Sequence, residues 1–193
     1  ARDIEEALAG RAVSVQPYIA ADREGFTGSA SAEDLAILME LVHLKMSGAR
    51  PDENAFNALR QQLVAFVQTQ SSQPQFQLSR AYQEALTGGH PRTMPFTEDD
   101  LPRITLESVT ETYDRRFANA SDFTFLFVGT IDPAELLALS EQYLASLPGN
   151  GQAESVADVG ISYADAPVET EVRAGIEPIS QVIVTWHGDY EFS

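Results

Sequence analysis

One stretch, residues 113–148, restricts the fold more than any other: YDRRFANASDFTFLFVGTIDPAELLALSEQYLASLP. An amphipathic helix runs out into the apolar segment 122–128. There Phe123, Phe125 and Phe127 alternate with Thr124, Leu126 and Val128. The alternation predicts a strand, and apolar residues on both faces predict that it is buried on both sides. Gly129 supplies a turn. Asp132 is a good N-cap, and Pro133 suits the first helical position, where no amide hydrogen is needed. A second helix is expected over 133–146, closed by Leu147 and Pro148. Helix, buried strand and helix in this order call for sheet and helices packed together, an α+β fold.

The rest of the chain reads in the same way. Residues 3–9 resemble a helix tail stopped by Gly10. Residues 12–19 and 24–29 form two strands around Ala21 and Asp22, and Pro17 marks the first as an edge strand or a bulge. Ser31 and Asp34 approximate a capping box for a helix over 32–46. Its inward stripe is Leu35, Leu38, Met39, Val42 and Met46, widened by Ile37, Leu41 and Leu44. A helix from Asp52 to about Gln70 turns Phe56, Leu59, Leu63, Phe66 and Val67 inward. Another starts near Pro74, carries Phe76, Tyr82, Ala85 and Leu86, and stops at Gly88 and Gly89. Thr97 caps a short helix that Pro102 interrupts. Thr105 caps a longer one with Leu106, Val109, Tyr113 and Phe117 on one face. Residues 149–167, rich in Gly, Ala, Ser and Asp, read as linker. Residues 168–173 alternate weakly. Residues 181–187 (QVIVTWH) read as a strand with Val182, Val184 and Trp186 on one side.

At 193 residues the chain can bury a core of its own, and 44% apolar residues suit a globular fold. Twelve basic residues against 29 acidic ones give a net charge of −17. Nucleic acids and anionic membranes both need a positive face, so neither is an expected partner. There is no cysteine, hence no disulfide and no thiolate metal site. No apolar run approaches the ~20 residues of a membrane span. Residues 1–10 are charged and carry no signal-peptide pattern. The chain opens inside a helical pattern and stops just after an apolar strand, so it is read as part of a larger protein.

The order of signals in 113–148 resembles the pitrilysin/insulinase family of zinc metallopeptidases. The resemblance extends to residues 8–19 with 24–29, which look like a hairpin of large bacterial members. Residues 34–44, with 49–52, Ala55 and Phe56, look like the helical segment that follows. Residues 175–184 are similar to the strand that opens the next unit of such proteins. The resemblance implies an α+β unit of the metallopeptidase (LuxS/MPP-like) type, a mainly antiparallel sheet packed against helices. Family members consist of four such units in two halves that enclose a chamber. The first unit carries an H-x-x-E-H helix, whose histidines hold zinc and whose glutamate activates water. That motif is absent from this chain. Its patches resemble the third unit, which is non-catalytic, so no catalytic or metal residue carries over.

The residues themselves offer few sites. His43, His90 and His187 are 47 and 97 residues apart. Glu40 and His43 form an E-x-x-H half-motif that needs ligands from other helices, and no second one occurs. It reads more simply as a histidine at a helix edge beside Glu40. His90, in a Gly-Gly-His-Pro turn, reads as a loop residue, and His187 as the end of a strand. Gly25 and Gly28 lie in a strand turn without the lysine a phosphate loop needs. Arg115 and Arg116 read as solvation of a helix end near acidic neighbours.

Together these features predict a peptidase-family unit over 1–148, with its N-terminal strands missing. A linker over 149–180 follows, and 181–193 begins the next unit. The expected role is a non-catalytic domain of a zinc metallopeptidase, giving chamber wall and inter-domain contacts. Zn2+ is implied for the parent, with none in this segment and no catalytic, metal or assigned substrate-binding residue. A wall this acidic could favour basic peptides. The expected partners are other domains of the same polypeptide, a peptide substrate and a second copy through 181–187, in a periplasmic or secreted setting. The alternatives are a scaffold homologue that has lost the zinc site and a stand-alone binding module. An H-x-x-E-H upstream of residue 1 distinguishes the peptidase from the scaffold.

Overall fold

A computed structural model describes residues 2–48, 50–152 and 154–188. The chain is α+β and divides into two compact units, 1–52 with 105–157, and 53–104 with 158–193.

The first unit is built on a hairpin, β1 (Val13–Ile19) and β2 (Glu24–Ala30), paired antiparallel with Val13 opposite Ala30 and Pro17 opposite Phe26. The Ala20 amide closes the turn on the Arg23 carbonyl at 2.7 Å. A short helix, α1 (Arg2–Ala7), precedes it. One 3-10 turn, Ala32–Asp34, leads into α2 (Leu35–Met46). The capping box expected at Ser31 takes another form. Ser31 Oγ donates to the Asp34 carboxylate at 2.9 Å instead of accepting from a backbone amide, and Arg11 donates to the same carboxylate at 2.9 Å. Arg11 and then Ser31 hold the Asp34 carboxyl below its ordinary value. A folded-state value depressed in this way stabilises the fold at higher pH. That contribution fades as pH falls through the folded value.

Helix α2 lies against both strands and against the turn that ends α6. Leu35, Met39, Leu41 and Met46 are buried, and Leu44, expected inward, is half exposed. Gly28 makes this closeness feasible. A Cβ there would sit 2.9 Å from Leu38 Cδ1 and 2.9 Å from the Ser14 carbonyl oxygen. The Gly25–Gly28 pair therefore serves packing, since Gly25 likewise sits under the Tyr18 ring.

Helix α5 (Leu106–Phe117) starts as the sequence predicts. The Ser108 amide donates to Thr105 Oγ1 and the Thr105 amide to Ser108 Oγ, both at 3.0 Å. Its inner face is Leu106, Thr110, Tyr113 and Phe117, while Val109, expected inward, is half exposed. Phe117, 2% exposed, anchors an aromatic cluster with Phe26 and Tyr113 at 4.8 Å and Phe123 at 6.3 Å. Burial holds the Tyr113 hydroxyl above its ordinary value, helped by Asp114, and that hydroxyl donates to the Lys45 carbonyl at 3.0 Å. Helix α6 (Pro133–Leu139) begins at Asp132, whose Oδ1 accepts from the Ala134 amide at 2.9 Å, and ends in a π-helical turn, Ser140–Leu144. Residues 148–154 are tied to the 119–122 turn. Ala120 donates to the Pro148 carbonyl at 2.8 Å, and the Gly151 amide donates to Ser121 Oγ at 3.0 Å.

The second unit holds α3 (Glu53–Ser71), α4 (Pro74–Thr87) and a 3-10 helix, Glu98–Arg103. Of the α3 residues expected inward, only Val67 is fully buried, and Leu59 and Phe66 are exposed. Helix α4 ends on Gly88, whose φ of +63° is the left-handed cap that glycine adopts without strain. The Thr97 amide and hydroxyl both donate to Asp100. These bonds, the amide first and then an ion pair with Arg103, hold the Asp100 carboxyl below its ordinary value.

The strands expected at 122–128 and 181–187 are not formed as sheet, nor is 168–173 paired. Among the described residues the hairpin is the only sheet. A strand needs a neighbour beside it to take up its amides and carbonyls. No described residue occupies that place for 124–128 or for 181–188. The remainder of the expected C-terminal strand, 189–193, lies outside the described residues.

Candidate functional site

The three histidines do not assemble. In the first unit His43 Nδ1 donates to the Tyr143 carbonyl at 2.7 Å, with the two rings edge to face at 6.3 Å. In the second, His90 Nε2 donates to the Val159 carbonyl at 3.0 Å and His187 Nε2 to the Ala164 carbonyl at 3.0 Å. Each ring is thus committed to a backbone oxygen. Among the described residues one carboxylate trio has metal-site spacing: Glu24, Asp122 and Glu154. Arg116 already serves this trio, donating to Glu24 Oε1 at 3.3 Å and Glu154 Oε2 at 3.1 Å. An arginine stays charged at any working pH and supplies a fork of donors, so it takes the place a cation would hold. A zinc centre needs several nitrogen, sulfur or carboxylate ligands converging on one point, with few protons in the way. These residues do not fit one.

Arg116 therefore stitches β2 to the segment after α6, a more specific task than solvating a helix end. Sequence gave no sign of it, since its partners lie 92 and 38 positions away.

What the chain does present is apolar surface. In the first unit Phe123, Phe125 and Phe127 are half-buried, with Phe123 and Phe125 stacked at 6.5 Å, while Leu126 and Val128 stand 85% and 88% exposed. The expectation of burial on both sides is thus corrected to burial on one. The outer face would need a covering layer, and no described residue provides it.

In the second unit Ile176, Ile179, Val182, Val184 and Trp186 are all exposed. Two odd-numbered side chains of the ribbon have partners, although Ile183 is 45% exposed. Thr185 Oγ1 lies 3.1 Å from the Tyr82 hydroxyl, and the His187 ring lies 5.1 Å from that of Tyr163. The result is an exposed apolar ribbon tethered at Thr185 and His187. The same unit has a cleft of about 540 Å³ lined by Phe76, Arg80, Glu84, Glu98, Asp99 and Val172. Its charges line an open rim, and no described buried side-chain polar atom lacks a partner. Among the described residues, no helix is long and apolar enough to cross a membrane.

Residues 103–191 match the family described as the Peptidase M16 inactive domain. Over those residues the chain is similar to the inactive domain of the M16 peptidases, the pitrilysin/insulinase type. Its fold is similar to that of the periplasmic protease PqqL from Escherichia coli, with a TM-score of 0.70 and 17% identity over 84% of this chain. The chain spans 18% of the length of PqqL. No curated protein sequence matches it.

Proposed function

We propose that the chain forms part of the wall of an enclosed peptidase chamber and supplies contacts to neighbouring domains of the same polypeptide. The observation that carries this reading is the pair of exposed apolar ribbons, at Leu126 and Val128 and at 176–186, both inside the matched residues. Exposed apolar surface on this scale marks an interaction face, and surrounding charge is a poor substitute for a covering layer. The parent would be a zinc metallopeptidase acting on peptides, with its metal and catalytic residues in another unit. The PqqL likeness supports a periplasmic or secreted setting. The division into a unit over 1–148, a linker and an opening strand from 181 belongs to the same reading, as does pairing of two copies through 181–187.

The test compares the chain with its full-length parent. The chain alone is expected to retain no stoichiometric zinc after dialysis and to leave casein uncut. The parent is expected to show chelator-sensitive cleavage that drops when Leu126 and Trp186 are changed to Asp. Stoichiometric zinc with chelator-sensitive cleavage by the chain alone would overturn the proposal. So would full activity in the doubly substituted parent.

A further inference from the structure

His90 differs from the other two histidines in using both ring nitrogens. Nε2 lies 3.0 Å from the Val159 carbonyl oxygen, and Nδ1 lies 3.2 Å from the backbone nitrogen of Arg92. A carbonyl only accepts and an amide only donates, so Nε2 carries the proton and Nδ1 is bare. One tautomer of the neutral ring satisfies both bonds. His43 and His187 each donate to a carbonyl through a single nitrogen. A second proton leaves those two bonds in place. On His90 it sets an N–H against the Arg92 N–H.

We infer that His90 is a pH-sensitive clip, holding the segment that begins at Asp158 against the turn after α4 while the ring is neutral and releasing it when the ring is charged. The clip opens toward the segment because the turn is the stiffer side. The Thr93 amide donates to the His90 carbonyl at 2.9 Å, and Thr93 Oγ1 donates to Thr87 Oγ1 at 2.6 Å. Thr87 is buried and donates in turn to the Gln83 carbonyl at 2.8 Å. The Arg92 amide is therefore fixed, and a charged ring must swing away from it. That swing carries Nε2 off Val159. The neighbouring stretch then has one backbone tie to α4, the Ala164 amide on the Leu86 carbonyl at 3.0 Å.

The charged residues next to the ring's partners in the chain are Arg92 itself and Asp158, the neighbour of Val159, and on α4 Glu84 Cγ lies 3.9 Å from where a Gly89 Cβ would stand. Imidazole is the side chain whose charge ordinarily changes between about pH 5 and 8, and the test spans that range.

Two measurements on the 193-residue chain test this. Long-range proton–nitrogen NMR at about pH 8 should show His90 as the Nε2–H tautomer. Hydrogen-exchange protection of the Ala164 amide, corrected for the intrinsic rate, should fall about three- to ten-fold between about pH 8 and pH 5, the worth of one hydrogen bond. In His90→Gln, which donates and accepts without titrating, protection should stay level across that range. An Nδ1–H tautomer would overturn the clip. Unchanged protection in the native chain, or an equal fall in His90→Gln, would do the same.

Discussion

Helices α2 and α3 stand at opposite ends of what a helix can contribute to a fold. Helix α2 has 12 residues and buries Leu35, Met39, Leu41 and Met46; α3 has 19 and fully buries Val67 alone. The difference lies in what each meets. Helix α2 is apolar around most of its circumference and is contacted by β1, β2 and the turn after α6. Helix α3 carries Gln61, Gln62, Gln68 and Gln70 among its apolar residues, and it meets α4 and the 3-10 helix. Length sets how many hydrogen bonds a helix makes. The number of sides from which it is packed sets how much it stabilises the protein.

Substitutions can break that comparison or sharpen it. The largest effect is expected from Phe117→Ala in the first unit. Its ring is fully buried in the aromatic cluster, and its loss should cost about 3–5 kcal/mol in denaturant melts. Next is Val67→Ala, the buried residue of α3, at about 2 kcal/mol from lost transfer energy. If Val67→Ala cost as much as Phe117→Ala, α3 would be as well packed as the aromatic core of the first unit and the contrast would fail. Thr105→Ala removes the cap on the Ser108 amide and should cost about 1 kcal/mol, measured as a shift in melting midpoint. Trp186→Ser should change the stability of the chain by less than about 0.5 kcal/mol, because that ring is 84% exposed. A larger loss would mean that the ribbon is covered within a single chain.

Much of this was legible in the residues. The caps at Thr105 and Asp132, the stop at Gly88 and the hairpin around Ala21 and Asp22 are local events, decided by residues within about four positions. The peptidase-family resemblance was legible too, and the match over 103–191 agrees with it. The inner faces of long helices were less so. Leu59, Phe66 and Val109 have the spacing of inward residues, yet no described residue covers them, because spacing names a face without naming what meets it. The segment 123–128 carries a strand's alternation, with no partner strand among the described residues. The double use of His90 escaped because Val159 lies 69 positions away. The Gly-Gly-His-Pro turn gave a hint only of the Arg92 half.

The open ribbon at 182, 184 and 186 also has a colloidal consequence. The chain carries 17 excess negative charges, so two copies repel each other before their apolar faces can meet. The reach of that repulsion is the Debye length, about 30 Å at 0.01 M ionic strength and about 8 Å near 0.15 M. Salt therefore sets how close two copies could come. In dilute buffer the charge would keep two ribbons far apart, and added salt shortens the distance over which it acts.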